Sequence, residues 1–119
     1  MPLYSILICD DELSIRESLK AYLENSYRLS TAKSGQEAID AVSKSNVDLV
    51  IIDIKMPDID GLEAIRQIKN FKPNQKIIVL TGYETTSIAA EVARLGVNAY
   101  LTKPIGKEKL LKTVGEIIQ

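Results

Sequence analysis

The chain has 119 residues, with 15 lysines and arginines against 16 aspartates and glutamates, no histidine, and a formal charge of −1. Its length and 45% apolar content are enough for one hydrophobic core without metal or disulfide staples, and balanced charge lacks the basic surplus that nucleic-acid binding requires. Absence of histidine removes Ser-His-Asp and Cys-His catalysis, ordinary zinc sites and any part as a phosphohistidine donor.

No apolar run approaches the ~18 residues of a membrane span, and Met1-Pro2-Leu3-Tyr4 carries no basic leader. No membrane partner is therefore expected, and a cytoplasmic setting is the default expectation. The single Cys9 cannot form an internal disulfide and is read as a small buried hydrophobe.

Apolar runs alternate with helical patterns five times, the pattern of repeated β-α units around a parallel sheet. Ser5-Ile6-Leu7-Ile8-Cys9 opens as a continuously apolar strand, followed by Ile15, Leu19, Tyr22 and Leu23 at helical spacing. Tyr27 to Ala32 mixes polar with apolar residues and reads as an edge strand. Ser34 with Glu37 marks the next helix start, continued by Ala38, Ala41 and Val42. Leu49-Val50-Ile51-Ile52 is a second central strand, and Asp60 with Glu63 starts the helix carrying Leu62, Ile65 and Ile68. Ile77-Ile78-Val79-Leu80 is the third central strand, before a helix of Ile88, Val92 and Leu95 that Gly96 stops. Asn98 to Thr102 reads as the other edge, and Leu110, Leu111, Val114, Ile117 and Ile118 form the stripe of the last helix. No linker or repeat interrupts residues 1–119, so one domain is expected. Three central strands, two edge strands and right-handed crossovers are satisfied by the order 2-1-3-4-5, a doubly wound sheet with its switch point between the first and third strands.

Ligands bind such sheets at the carboxyl ends of the strands. There the first strand ends in Asp10-Asp11, the third in Asp53 and the fourth in Thr81, while Lys103-Pro104 follows the fifth. Singly these residues mean little, since an Asp pair after a strand is commonly a helix N-cap. Together they crowd three carboxylates into one cleft, which requires raised pKa values or a bound cation. An oxygen-rich, nitrogen-poor set suits Mg²⁺ or Mn²⁺, with positions left for phosphate oxygens. Thr81 offers a hydroxyl proton and Lys103 a positive charge to that anion.

Over its whole length the chain resembles a response-regulator receiver domain, a flavodoxin-like (βα)5 family of two-component and phosphorelay signalling. Four blocks carry the resemblance: Ile8-Cys9-Asp10-Asp11-Glu12, Asp48 through Gly61, Leu80-Thr81-Gly82-Tyr83, and Tyr100-Leu101-Thr102-Lys103-Pro104. The resemblance implies that Asp53 accepts a phosphoryl group from a phosphohistidine on a histidine kinase or phosphotransfer domain. It implies that Asp10, Asp11, Asp53 and the backbone carbonyl of Lys55 hold Mg²⁺, and that Thr81 and Lys103 contact the phosphoryl oxygens. The Lys103-Pro104 bond is expected to be cis. Asp53 would act as in-line nucleophile without a side-chain base, because carboxylates are already ionised at pH 7. Such a chain catalyses its own phosphorylation and dephosphorylation yet works as a switch rather than a turnover enzyme.

Switching is expected through Thr81 and Tyr100, with the face of the fourth helix, fifth strand and fifth helix presented to a downstream effector. Tyr100 also fits a plain packing role at an edge. Lys55 and Tyr83, two residues beyond Asp53 and Thr81, are unsuited to orienting a hydrolytic water and long enough to obstruct it. That pair resembles the one in sporulation-phosphorelay receivers and implies slow self-dephosphorylation. Leu13, Ile15, Met56 and Ile59 read either as a donor-docking patch or as core, and Pro57 as shaping its loop.

An aspartyl-nucleophile phosphatase would want a second acid where Lys55 stands, and a dinucleotide-binding domain would want glycines in the first turn, where Cys9-Asp10-Asp11-Glu12-Leu13 has none. A receiver-like module that binds without taking phosphate is the remaining alternative.

Overall fold

Among the described residues ten elements alternate strictly: β1 (Ser5–Cys9), α1 (Leu13–Leu23), β2 (Arg28–Ala32), α2 (Gly35–Lys44), β3 (Leu49–Ile52), α3 (Gly61–Phe71), β4 (Lys76–Thr81), α4 (Thr86–Arg94), β5 (Ala99–Thr102) and α5 (Lys107–Ile118). They come from a computed structural model that describes residues 3–82 and 86–119. The strands form one parallel sheet in the order β2-β1-β3-β4-β5, as the sequence predicts.

Period-two alternation within the strands divides the interior in two. Leu7, Cys9, Val50, Ile52, Ile77 and Val79 face Ala38 and Val42 of α2, Leu62, Ile65 and Ile68 of α3, and Val92 of α4. Ile6, Ile8, Leu49, Ile51, Ile78 and Leu80 face Leu19 and Leu23 of α1 and Leu110, Val114 and Ile118 of α5. Because helices cover both faces, β3 is buried at every position, whereas β2 buries only Ala32 and β5 is never fully buried. That contrast is what the polar-apolar mixing of the edge strands encodes.

Two strand starts fall one residue later than predicted. Tyr27 gives its N–H to Leu23 O, closing the end of α1, so β2 begins at Arg28. Asn98 meets Ile77 through its own N–H and through Oδ1, which accepts the Ile77 N–H at 2.9 Å, so a side chain replaces the first ladder bond of β5.

Helix starts follow the predicted caps: Ser34 Oγ accepts the Glu37 N–H at 3.1 Å, and Asp60 Oδ1 accepts the Glu63 N–H at 2.9 Å. The N-cap of α1 is Glu12, with no side-chain capping bond, so the Asp10-Asp11 pair does not cap that helix. Gly96, at φ 74°, ends α4 in the left-handed conformation that glycine adopts without steric cost. Among the described residues no helix is long and apolar enough to cross a membrane.

Candidate functional site

The sheet delivers the polar residues to one end in a shared register. Cys9 and Ile52 pair across β1 and β3, and beyond them the ladder continues as Asp10 N–H to Ala32 O and Asp53 N–H to Cys9 O, both 3.0 Å. Thr81 closes β4, and the Lys103 N–H donates to Thr81 O at 3.0 Å, holding the segment after β5 beside it. Asp10, Asp53 and Thr81 are only 2%, 6% and 1% exposed, although each is polar. Buried polar side chains of this kind demand partners.

The main partner is Lys103. Its Nζ lies 2.6 Å from Asp10 Oδ2 and 2.9 Å from Asp53 Oδ2, with Glu12 Oε1 farther off at 3.9 Å. Asp10 uses its other oxygen, Oδ1, to accept the Glu12 N–H at 3.0 Å, and Arg16 Nη1 donates to the Asp10 carbonyl at 2.8 Å. Asp53 Oδ1 accepts a longer bond, 3.4 Å, from the Lys55 N–H. The Lys103-Pro104 peptide bond is cis.

Burial raises the Asp10 carboxyl above its ordinary 3.8, and the nearby Asp53 charge adds to this, although the Lys103 ammonium partly offsets it. Burial alone would lower Lys103, but its hydrogen bonds to Asp10 and Asp53 outweigh that effect and hold it above the ordinary lysine value. Cys9 is pushed far up, by burial first and then by the charges of Asp10 and Glu37, so it remains a thiol.

Above this buried layer opens a cleft of about 540 Å³ lined by Asp11, Glu12, Asp53, Lys55, Met56, Pro57, Thr81, Gly82 and Lys103. Asp10, Asp11 and Glu12 each bring a carboxylate oxygen within 4.8 Å of the others. This all-oxygen set has the chemistry of a hard divalent cation site. Glu12 is the member that the sequence reading left without a role. Three consecutive acids after a strand were its signal, hidden because an acid just before a helix reads as an N-terminal charge.

The structure thus gathers Asp10, Asp11, Asp53, Lys55, Thr81 and Lys103 at one end of the sheet. Tyr100 is not among the residues lining the cleft; it lies within β5, half-buried against the α2-α3-α4 side of the core. Tyr83 falls outside the described residues. Met56, 7% exposed, belongs to the core and also lines the cleft, Ile59 packs on the core, and Leu13 is 61% exposed. Ile15 lies between, lining a small groove with Tyr22, Pro104 and Ile105.

Buried acids bridged by a lysine at the switch point of a doubly wound sheet define a flavodoxin-like α/β domain with an acidic crevice. The chain belongs to the response regulator receiver domain family, whose pattern covers residues 6–115, and is a receiver domain of two-component signal transduction. It is 35% identical over 115 residues to the response regulator MprA of Mycolicibacterium vanbaalenii, covering 96% of this chain and 50% of that protein. It is 35% identical over 114 residues to the transcriptional regulatory protein ZraR of Klebsiella oxytoca, covering 95% of this chain and 26% of that one. The chain therefore spans a quarter to a half of the length of these curated relatives. Among solved structures, the CheY-like response regulator receiver domain protein of Methanospirillum hungatei superposes with a TM-score of 0.92 at 31% identity, covering 96% of this chain and 92% of that one.

Proposed function

We propose that residues 1–119 form one receiver unit in which Asp53 accepts a phosphoryl group from a phosphohistidine on a histidine kinase or phosphotransfer domain. The observation that carries this reading is the 2.9 Å approach of Lys103 Nζ to Asp53 Oδ2, at the floor of a cleft that Asp11 and Glu12 of the acidic cluster also line. With Oδ2 engaged by the ammonium, the more loosely held Oδ1 is the attacking atom. A new Asp53 O–P bond forms as the donor's P–N bond breaks, and the electron pair of that bond leaves with the imidazole. Lys103 then shifts from the carboxylate to a phosphoryl oxygen, and the Thr81 hydroxyl donates to another. Asp10, Asp11, Asp53, the carbonyl of Lys55 and, in addition, Glu12 would hold Mg²⁺ or Mn²⁺, which supplies positive charge to the transferring group. The output is a changed α4-β5-α5 face that a downstream effector reads, with Thr81 and Tyr100 as the switching pair. A cytoplasmic setting fits a phosphohistidine donor of this kind.

Incubation with Mg²⁺ and acetyl phosphate, followed by mass measurement, tests the proposal. A phosphoryl adduct is expected on the wild type and not on Asp53→Asn; no adduct on either leaves the binding-only module, and turnover of the donor without adduct indicates a phosphatase. Lys55 and Tyr83 are proposed to slow hydrolysis by obstructing the approach of water. The double change Lys55→Asn with Tyr83→Glu is expected to speed loss of the adduct by roughly tenfold, less than the ~100-fold or more of a fully positioned proton-transfer group. An unchanged decay rate rejects that role.

A further inference from the structure

The segment joining β3 to α3 is anchored at both ends by backbone contacts too close for a side chain. At its far end Gly61 gives its N–H to Ile54 O at 2.6 Å, and a Cβ on Gly61 would fall 2.1 Å from Asp53 O. Next to Asp58, the Ile59 carbonyl sits so near α2 that a Cβ on Gly35 would fall 2.1 Å from its oxygen. Asp58 fastens this second contact. Its Oδ1 accepts the Gly35 N–H at 2.9 Å and its Oδ2 the Gln36 N–H at 3.1 Å, the opening amides of α2, which have no acceptor within their own helix. Ser34 Oγ serves the next amide, that of Glu37. Between Ile54, held by Gly61, and Asp58, held by α2, lie Lys55, Met56 and Pro57, all lining the cleft.

We infer that Asp58 is a positioning residue: by tying the acceptor loop to the N-terminus of α2, it fixes the Lys55–Pro57 stretch and with it the Lys55 carbonyl that completes the cation site. The inference rests on the reading of the cleft given above. A carboxylate suits the role because its two oxygens satisfy two consecutive amides, and the positive end of the α2 dipole favours its charge.

Mg²⁺ binding to the whole chain, measured by titration calorimetry without phosphodonor, tests this alongside the Mg²⁺ dependence of acetyl phosphate labelling. Asp58→Ala is expected to weaken Mg²⁺ binding by roughly tenfold, the lower range for groups that orient metal ligands, while the labelling rate at saturating Mg²⁺ stays within about twofold. Asp58→Asn, which keeps one acceptor oxygen, should fall between. Ser34→Ala removes a cap from the same helix end without touching the loop, and should lower the melting temperature while leaving the Mg²⁺ midpoint in place. An unmoved midpoint in Asp58→Ala, or an equal shift in Ser34→Ala, overturns the inference. A wild type that binds Mg²⁺ but takes no phosphoryl group rejects the phosphoacceptor reading alone, and one that binds no Mg²⁺ rejects both.

Discussion

Lys103 has partners to spare, and the two acids it bridges do not. Removing Asp10 leaves the ammonium with Asp53 at 2.9 Å and Glu12 at 3.9 Å, so no buried charge is orphaned. The raised Asp10 carboxyl also means that the folded chain holds that proton more tightly than the unfolded one. Stability at this site consequently falls as pH rises from the ordinary 3.8 through the folded value, and stays lowered at neutral pH. Asp10→Asn, and likewise Asp53→Asn, should raise the melting temperature in Mg²⁺-free buffer, by roughly 3–6 °C for about 1 kcal/mol of relieved repulsion. A scan showing equal or lower values counts against a strained acidic cluster. The sequence places these acids and the lysine at one end of the sheet, and it poses the problem that they raise, mutual repulsion. It expects raised pKa values or an external cation. The structure answers with a raised Asp10 and an internal ammonium, a choice that depends on the reach of one side chain from the end of β5 over β4 to β3 and β1 and that the strand ends alone do not reveal.

Among the elements, caps and stripes are legible because they depend on residues three or four apart. Ser34 with Glu37 and Asp60 with Glu63 are examples, each closed by a bond within one turn. The cap that Asp58 lends to α2 is not legible, since its partners lie 23 and 22 residues away. The same holds for Gly35 and Gly61, neither of which has a positive φ. Both are required by close approach: at each, an added Cβ would stand 2.1 Å from a carbonyl oxygen of the segment between β3 and α3, an atom that cannot swing aside. Gly35→Ala and Gly61→Ala should each cost about 3 kcal/mol, at the upper end for overpacking. Urea unfolding would register this as a lower midpoint at unchanged slope. At Gly115, inside α5, where an added Cβ meets nothing within 4 Å, the same substitution should instead raise the midpoint, since alanine is the better helix former.

For the molecule as a whole, topology is the most legible property. Apolar runs without polar interruption mark β1, β3 and β4 as strands covered on both faces, mixed runs mark β2 and β5 as edges, and right-handed crossovers leave the order β2-β1-β3-β4-β5. That order brings Asp10 and Asp53 onto neighbouring strands, which is why the candidate site could be located without coordinates. Tyr100 is harder to read, because an edge-strand aromatic looks the same in a sequence whether it rests on the core or reaches toward solvent. α4 shows how lightly one side of the sheet is covered. Val92 is its one fully buried residue among those described, and an ion pair from Arg66 of α3 to Glu91 holds it alongside.

The lysine that neutralises the crevice is rooted in the backbone immediately after β5, two residues before Ile105 and four before the first turn of α5. A newcomer that takes Asp10 Oδ2 or Asp53 Oδ2 competes with that ammonium for the same oxygen, and the ammonium's own root lies at the edge of the sheet far from β2. The crevice and the chain's last strand and helix are thus joined by a single aliphatic stem that carries one unit of charge.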